Sequence, residues 1–185
     1  MEKIKISLLS VLFICLTFIS CNSKQKSISS FQKDELTAKA DIFISDWHKA
    51  ASEADYENYF GKMDSLSIFI GTDYNENWKK SDFEEFSKPY FDRGKAWSFS
   101  AINRNIYMND TGEFIWFDEL LQTWMGICRG SGVIHSKDGK LTLNHYVLSV
   151  TVPNDKVNAF LDLKPQELDS SFVQSLSTRT PSIQK

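Results

Sequence analysis

The chain has 185 residues, of which 42% are hydrophobic and 14% aromatic, and a formal net charge of −3 at pH 7. That length holds one domain plus a leader, and the apolar content excludes a disordered chain and suffices for a sizeable core. A mildly acidic chain without a basic stripe is not built to neutralise phosphates, so no nucleic-acid partner is expected.

At the start of the chain, Lys3 and Lys5 precede an apolar run over 6–18 that is too short for a comfortable membrane span, and Phe18-Ile19-Ser20-Cys21 closes it. The tetrapeptide resembles the lipobox of bacterial lipoproteins, with Phe18 where Leu is usual. The resemblance implies that Cys21 is acylated on sulfur and becomes the mature N-terminus. The protein is then expected in the cell envelope, lipid-anchored to a bacterial membrane, because two or three acyl chains hold it stably there. Residues 1–20 are therefore read as a signal peptide and 21–33 as a flexible, Ser- and Lys-rich tether. Residues 34–160 form the domain, and 161–185 a partly disordered C-terminal tail with weak helical spacing at Leu168, Phe172 and Leu176. Of the three cysteines, Cys15 goes with the leader and Cys21 with the lipid, so Cys128 stands alone in the domain. It reads as an inert buried thiol, and no internal disulfide or CxxC metal site is possible.

From Asp34 the pattern changes: Leu36, Ala40, Phe43, Trp47, Ala50, Ala51 and Ala54 recur at three and four, the stripe of an amphipathic helix that Ser30 or Asp34 caps. A short helix over 56–63 follows, then a β-rich run over 66–72 and a polar turn over 73–77. Ser81-Asp82-Phe83-Glu84 has the form of a capping box and predicts a helix from Ser81 with Phe83, Phe86 and Phe91 on its apolar side. Pro89 weakens its last turn, and Arg93-Gly94 ends it. Residues 97–108 and 113–121 alternate as strands around the turn Asn109-Asp110-Thr111-Gly112.

Two longer strands then meet at Lys137-Asp138-Gly139-Lys140, where Asp-Gly supplies the positive φ angles of a tight hairpin. Beyond the turn one face carries Leu141, Leu143, His145, Val147 and Ser149, the other Thr142, Asn144, Tyr146, Leu148 and Val150. Neither is purely polar, which predicts helices on one side and a partner subunit on the other. Gly130-Ser131-Gly132 suits a strongly curved sheet, and Pro153 ends the run. Two helices, a short strand, a helix and four long strands with short turns give an α+β fold, helices packed on a curved antiparallel sheet.

The element order, with Trp78 before the third helix, Ile115-Trp116-Phe117-Asp118-Glu119, Arg129-Gly130-Ser131-Gly132-Val133, and His145-Tyr146-x-Leu148-Ser149 with Val152-Pro153-Asn154, resembles the SnoaL-like branch of the nuclear transport factor 2-like superfamily over 36–155. The resemblance implies a cone-shaped α+β barrel with an internal pocket, and a homodimer through the outer sheet face. Many relatives carry an aromatic where Leu141 stands and a His or Asn where Val147 stands, so a His pair in the pocket is not expected here.

Fold alone does not fix function, and three readings follow. The first is an envelope lipoprotein binding a small, largely apolar ligand among aromatic side chains, with Trp78, Trp116, Tyr146 and Arg129 as candidate contacts. The second is a cofactor-independent isomerase, hydratase or cyclase-type enzyme with His145 as general base on the concave face and Asp118 polarising substrate. In both, Arg129 is the expected partner of Asp118, either as an ion pair at the cone mouth or as an anion site. The third is a dimeric partner-binding scaffold whose pocket is vestigial. Trp124 is placed at the rim or a dimer contact, and His48 and His135 at the surface. Nothing groups the histidines as metal ligands, and phosphate-binding Gly loops, nucleophile elbows and HExxH are absent, so no metal or cofactor is expected.

Overall fold

A computed structural model describes residues 27–164 and 166–177. The signal peptide, Cys21 and most of the tether lie outside the described residues, as do residues 178–185. Helix α1 (Ser30–Ser52) starts within the segment read as tether: the Gln32 N–H donates to Ser29 Oγ at 3.3 Å while the Ser29 N–H donates to Gln32 Oε1 at 3.0 Å, a capping box with glutamine as its second member. Helix α2 (Tyr56–Phe60) is capped by Asp55, and Met63, expected in that helix, opens strand β1 (Met63–Ile70). The polar turn after β1 is the tip of a small hairpin, because β2 (Asn77–Lys79) pairs back antiparallel with Phe69 opposite Trp78. Helix α3 (Lys80–Asp92) begins before Ser81, with Lys79 at the cap and no side-chain cap bond; the expected Ser81 capping box is not formed, and the Ser81 hydroxyl donates to Asp82 at 3.2 Å instead.

Strands β3 (Ser100–Met108), β4 (Phe114–Thr123), β5 (Gly126–Lys137) and β6 (Lys140–Val150) complete a six-stranded sheet in the order β2-β1-β6-β5-β4-β3. All neighbours are antiparallel except β1 and β6, which run parallel. Asp138 (φ 51°) and Gly139 (φ 78°) make the β5–β6 turn with the paired positive φ that Asp-Gly implies. Beyond β6, α4 (Val157–Leu163) and α5 (Gln166–Ser177) give the tail helical structure, and Phe172 of α5 packs on Tyr74 with ring centroids 4.1 Å apart.

The inner sheet face carries Ile115, Phe117, Glu119 and Leu121 of β4 and Cys128, Gly130, Gly132 and Ile134 of β5, against the buried stripe Ala40, Ile44, Trp47 and Ala51 of α1. Strict alternation fails in β6. Val133 faces His145 but Ile134 faces Leu143, so Asn144 is an extra residue, and β1 shifts register at the same level. The bulge is pinned on its β1 side: the Leu143 N–H donates to the Lys62 carbonyl at 2.8 Å and the buried Ser67 hydroxyl donates to the Leu143 carbonyl. A one-residue insertion reverses the facing of everything beyond it. Leu143, Tyr146 and Leu148 consequently share the inner face while His145 turns outward, correcting the face assignment made from alternation.

Around Tyr146 the interior is polar. Glu119, 1% exposed, accepts from His48 Nε2 at 2.7 Å and from the Tyr146 hydroxyl at 2.9 Å on one oxygen; its other oxygen receives Arg104 Nε at 2.9 Å, with Nη2 2.7 Å away. Arg104 also donates through Nη1 to Asp41 at 2.7 Å and to Ser45 at 3.0 Å, so helix α1, β3, β4 and β6 meet on a single carboxylate. His48 is therefore not a surface residue. Burial alone would raise the Glu119 pKa, but the hydrogen bond and positive charge of His48 together with the Arg104 guanidinium hold it below the ordinary glutamate value. Burial, and then the neighbouring Glu119 charge, push the Tyr146 phenol well above its ordinary value, which keeps it a hydrogen-bond donor. Gly130 lies directly over this cluster. A Cβ there would come within 2.2 Å of the Tyr146 hydroxyl and 3.0 Å of Glu119, so the absence of a side chain is a steric requirement.

Two outcomes follow from this interior. Gly130→Ala overpacks the cluster and is expected to lower stability by about 1–3 kcal/mol in urea unfolding; a neutral result would mean that Tyr146 moves aside freely. Glu119→Gln leaves the Arg104 guanidinium without its buried counter-charge and is expected to cost about 3–5 kcal/mol at pH 7. Because folding lowers the Glu119 pKa, its stabilisation is complete above the unfolded glutamate value of about 4.3 and disappears as pH falls through the lower folded value. The stability gap between wild type and variant should thus narrow on acidification; parallel profiles from pH 7 to pH 3 would count against the assignment.

Candidate functional site

At the end of the sheet marked by the β4–β5 turn, the helices and strands do not close on each other. They leave an open cavity of about 550 Å³ whose walls are aromatic. Cross-strand pairing sets Trp78 beside Phe69, and positions 83, 86 and 90 of α3 bring Phe83, Phe86 and Tyr90 onto one helix face at spacings of three and four. The rings lie nearly parallel: Phe69 to Phe83 at 3.9 Å and 13°, Trp78 to Phe83 at 5.6 Å and 16°, Trp78 to Phe86 at 4.6 Å and 24°. Trp97 continues the stack from Phe83 at 5.7 Å, and Trp124 stands at the rim on the β4–β5 turn, 83% exposed. A cavity walled by stacked rings accepts a flat apolar body against that wall, which loses hydration on entry without leaving polar groups unpaired. Two charged residues line it, Glu76 from the β1–β2 turn and Lys95 from the segment after α3.

Of the residues singled out from sequence, Trp78 lines this cavity. Tyr146 faces inward but lies beneath Phe69 and Phe117, 1% exposed, with its hydroxyl on Glu119. The others come together on the outer sheet face. Tyr107, Trp116, Val133 and His145 form one cross-strand row, and Trp116, 45% exposed, stacks on Tyr107 at 6.2 Å and 18°. In the next row Asp118 sits opposite Ser131 and accepts from Asn105 Nδ2 at 3.1 Å. Arg129 pairs in register with Leu120 and Ser149, one row further on, and no ion pair joins it to Asp118. The expected Asp118–Arg129 pair fails because the register offsets the two residues by two positions. His145 does not reach the concave face because of the bulge at Asn144.

Sequence reasoning passed over Glu119, Arg104 and His48. Glu119 occupies the same alternation as Ile115, Phe117 and Leu121, and His48 lies four residues from Ile44 on the α1 stripe, so a charged residue at an apolar position was the available signal in both cases. A polar cleft of about 240 Å³, floored by His48 and Arg104 and edged by Ser45, Ser52 and Ser98, opens beside this cluster, and Phe99 separates it from the aromatic cavity. Both oxygens of Glu119 are already committed, which makes the cluster a clamp between helix and sheet.

Residues 42–153 match the family model described as SnoaL-like domain. Among solved structures the chain is similar to an NTF2-like protein of unknown function from Pseudomonas putida KT2440, at 11% identity over 64% of this chain and 89% of that one, with a TM-score of 0.53. It is similar as well to a domain of unknown function with a cystatin-like fold from Nostoc punctiforme PCC 73102, at 13% identity over 82% of this chain and all of that one, with a TM-score of 0.53. Likeness at such identities is likeness of fold. No curated protein matches the chain. The family match runs from within α1 through β6 and takes in the whole sheet with its helical cover: the chain belongs to the SnoaL-like domain family and has the curved α+β cone of NTF2-like proteins.

Proposed function

We propose that this protein is an envelope lipoprotein whose SnoaL-like domain binds a small, flat, largely apolar molecule in the aromatic cavity, as a binding module and not as an enzyme. The observation that carries the reading is the run of near-parallel rings from Phe69 through Phe83 and Trp78 to Phe86, with charge confined to the cavity's edge. Proton transfer by His145 and Asp118 lacks support from their placement, since both face the outside of the sheet. Glu119, the one buried carboxylate among the described residues, is saturated by its donors. The envelope location rests on the lipobox-like Phe18-Ile19-Ser20-Cys21.

Mass spectrometry of the full-length protein purified from its own membranes tests both parts. An acylated Cys21 at the N-terminus and a small molecule released on denaturation are expected; an unmodified Cys21 ends the anchor proposal. In calorimetric titration, 2-naphthylmethanol should bind the soluble domain, and Trp78→Ala should weaken it about ten-fold, ~1.4 kcal/mol. Unchanged affinity would move the site away from this cavity.

A second reading concerns the outer face, where Tyr107, Trp116, Phe114 and Ile127 are exposed on neighbouring strands. A patch of this kind supports a homodimer through that face. Sedimentation equilibrium should then report a dimer that Trp116→Glu converts to monomer; a wild-type monomer at high micromolar concentration would remove the idea.

A further inference from the structure

The two charges at the edge of the aromatic cavity are held differently. Lys95 is exposed, its amine makes no ion pair or hydrogen bond with the described residues, and a solvated ammonium on a four-carbon stem is a weak selector of ligands. Glu76 is fixed. It is half-buried, its backbone is bonded on both sides (its N–H donates to the Asp73 carbonyl at 2.9 Å, and its carbonyl accepts from the Gly71 N–H at 2.9 Å), and its Oε2 accepts from the Asp73 N–H at 3.2 Å. Gly71 makes the room: a Cβ there would fall 2.1 Å from Glu76 Oε2. Glu76 Oε1 accepts no hydrogen bond from the described residues, and no cation among them lies within ion-pair distance. A preorganised, half-buried anion with no counter-charge among the described residues, held at the edge of an aromatic cavity, is a receptor for positive charge. Trp124, with no ring of the described residues packed on it, leaves its faces open at the mouth.

We infer that the ligand is a cation: a planar apolar body, seated against the ring wall, that bears a protonated amine or quaternary ammonium group received by Glu76. This rests on the binding role proposed above and narrows it to a chemical class.

Three naphthalene probes separate the two ideas: 2-naphthylmethylammonium, 2-naphthylmethanol and 2-naphthoate, titrated calorimetrically against the same domain at low ionic strength. The ammonium is expected to bind about ten-fold tighter than the alcohol, with the carboxylate weakest. Glu76→Gln should bring the ammonium down to the alcohol's affinity while the alcohol is unaffected, which shows that the cavity is intact. Lys95→Gln should leave the order unchanged. In wild type the ammonium's advantage should shrink as salt rises, a reading that needs no variant. Equal affinities, a preference for naphthoate, or an ammonium preference that survives Glu76→Gln would overturn the inference and leave the cavity a binding site. Failure of all three probes to bind would remove the binding role itself.

Discussion

Everything inside the cone answers to one ionised carboxylate. Burying Glu119 costs several kcal/mol unless its charge is met at close range, and meeting it takes a His from α1, an Arg from β3 and a Tyr from β6. Each of these imposes a condition on the chain. Tyr146 reaches the carboxylate only because the bulge at Asn144 turns it inward, and it fits only because position 130 has no side chain. Arg104 must bridge outward to Asp41, which fixes the first half of α1 over the sheet. A core of aliphatic side chains tolerates sliding of helix over sheet; a charge-centred one does not, since a shift of an ångström breaks several directional bonds at once.

That rigid interior explains where the open space lies. Trp47, Tyr59, Phe60 and Tyr146 fill the middle of the cone, with Trp47 stacked on Tyr59 at 4.9 Å. The polar clamp and this packing occupy the volume that a deeper pocket would need, and the cavity is displaced to the end where β1, β2, α3 and the β4–β5 turn diverge. The saturated carboxylate lies behind the cavity, and Phe69 and Phe83 belong at once to the buried core and to the cavity wall.

The α+β order, the four long strands, both tight turns and the curvature at Gly130 and Gly132 were legible because they depend on local patterns: alternation, Asp-Gly chemistry and missing side chains. The helix–sheet layering followed from the same patterns. What misled was strict alternation across β6, which cannot reveal an inserted residue when both faces are mixed, and the insertion exchanged the facings of His145 and Tyr146. Pairing register is likewise invisible in a single strand, so Asp118 and Arg129 looked like neighbours although their strands align them with Ser131 and Leu120. β2 ends at Lys79 and α3 begins at Lys80, so the last strand residue takes the cap position and α3 begins without a side-chain cap. Trp78 was legible as a candidate from the aromatic inventory alone, while the β1–β2 pairing that sets it in the cavity wall was not foreseen. Glu119 was written into an apolar series in plain view, but its partners come from distant segments that no local pattern links.

The parallel contact between β1 and β6 has a consequence for how the chain matures. The first strand of the sheet waits for the last: Ser67 and Leu143, bonded across the buried bulge, are 76 positions apart in sequence. Until β6 has emerged from the ribosome or a translocation pore, β1 and its hairpin mate have no central platform, and α1 to α3 have nothing complete to shelter against. A polypeptide with so long a closing step stays pliable until its far end is free to pair.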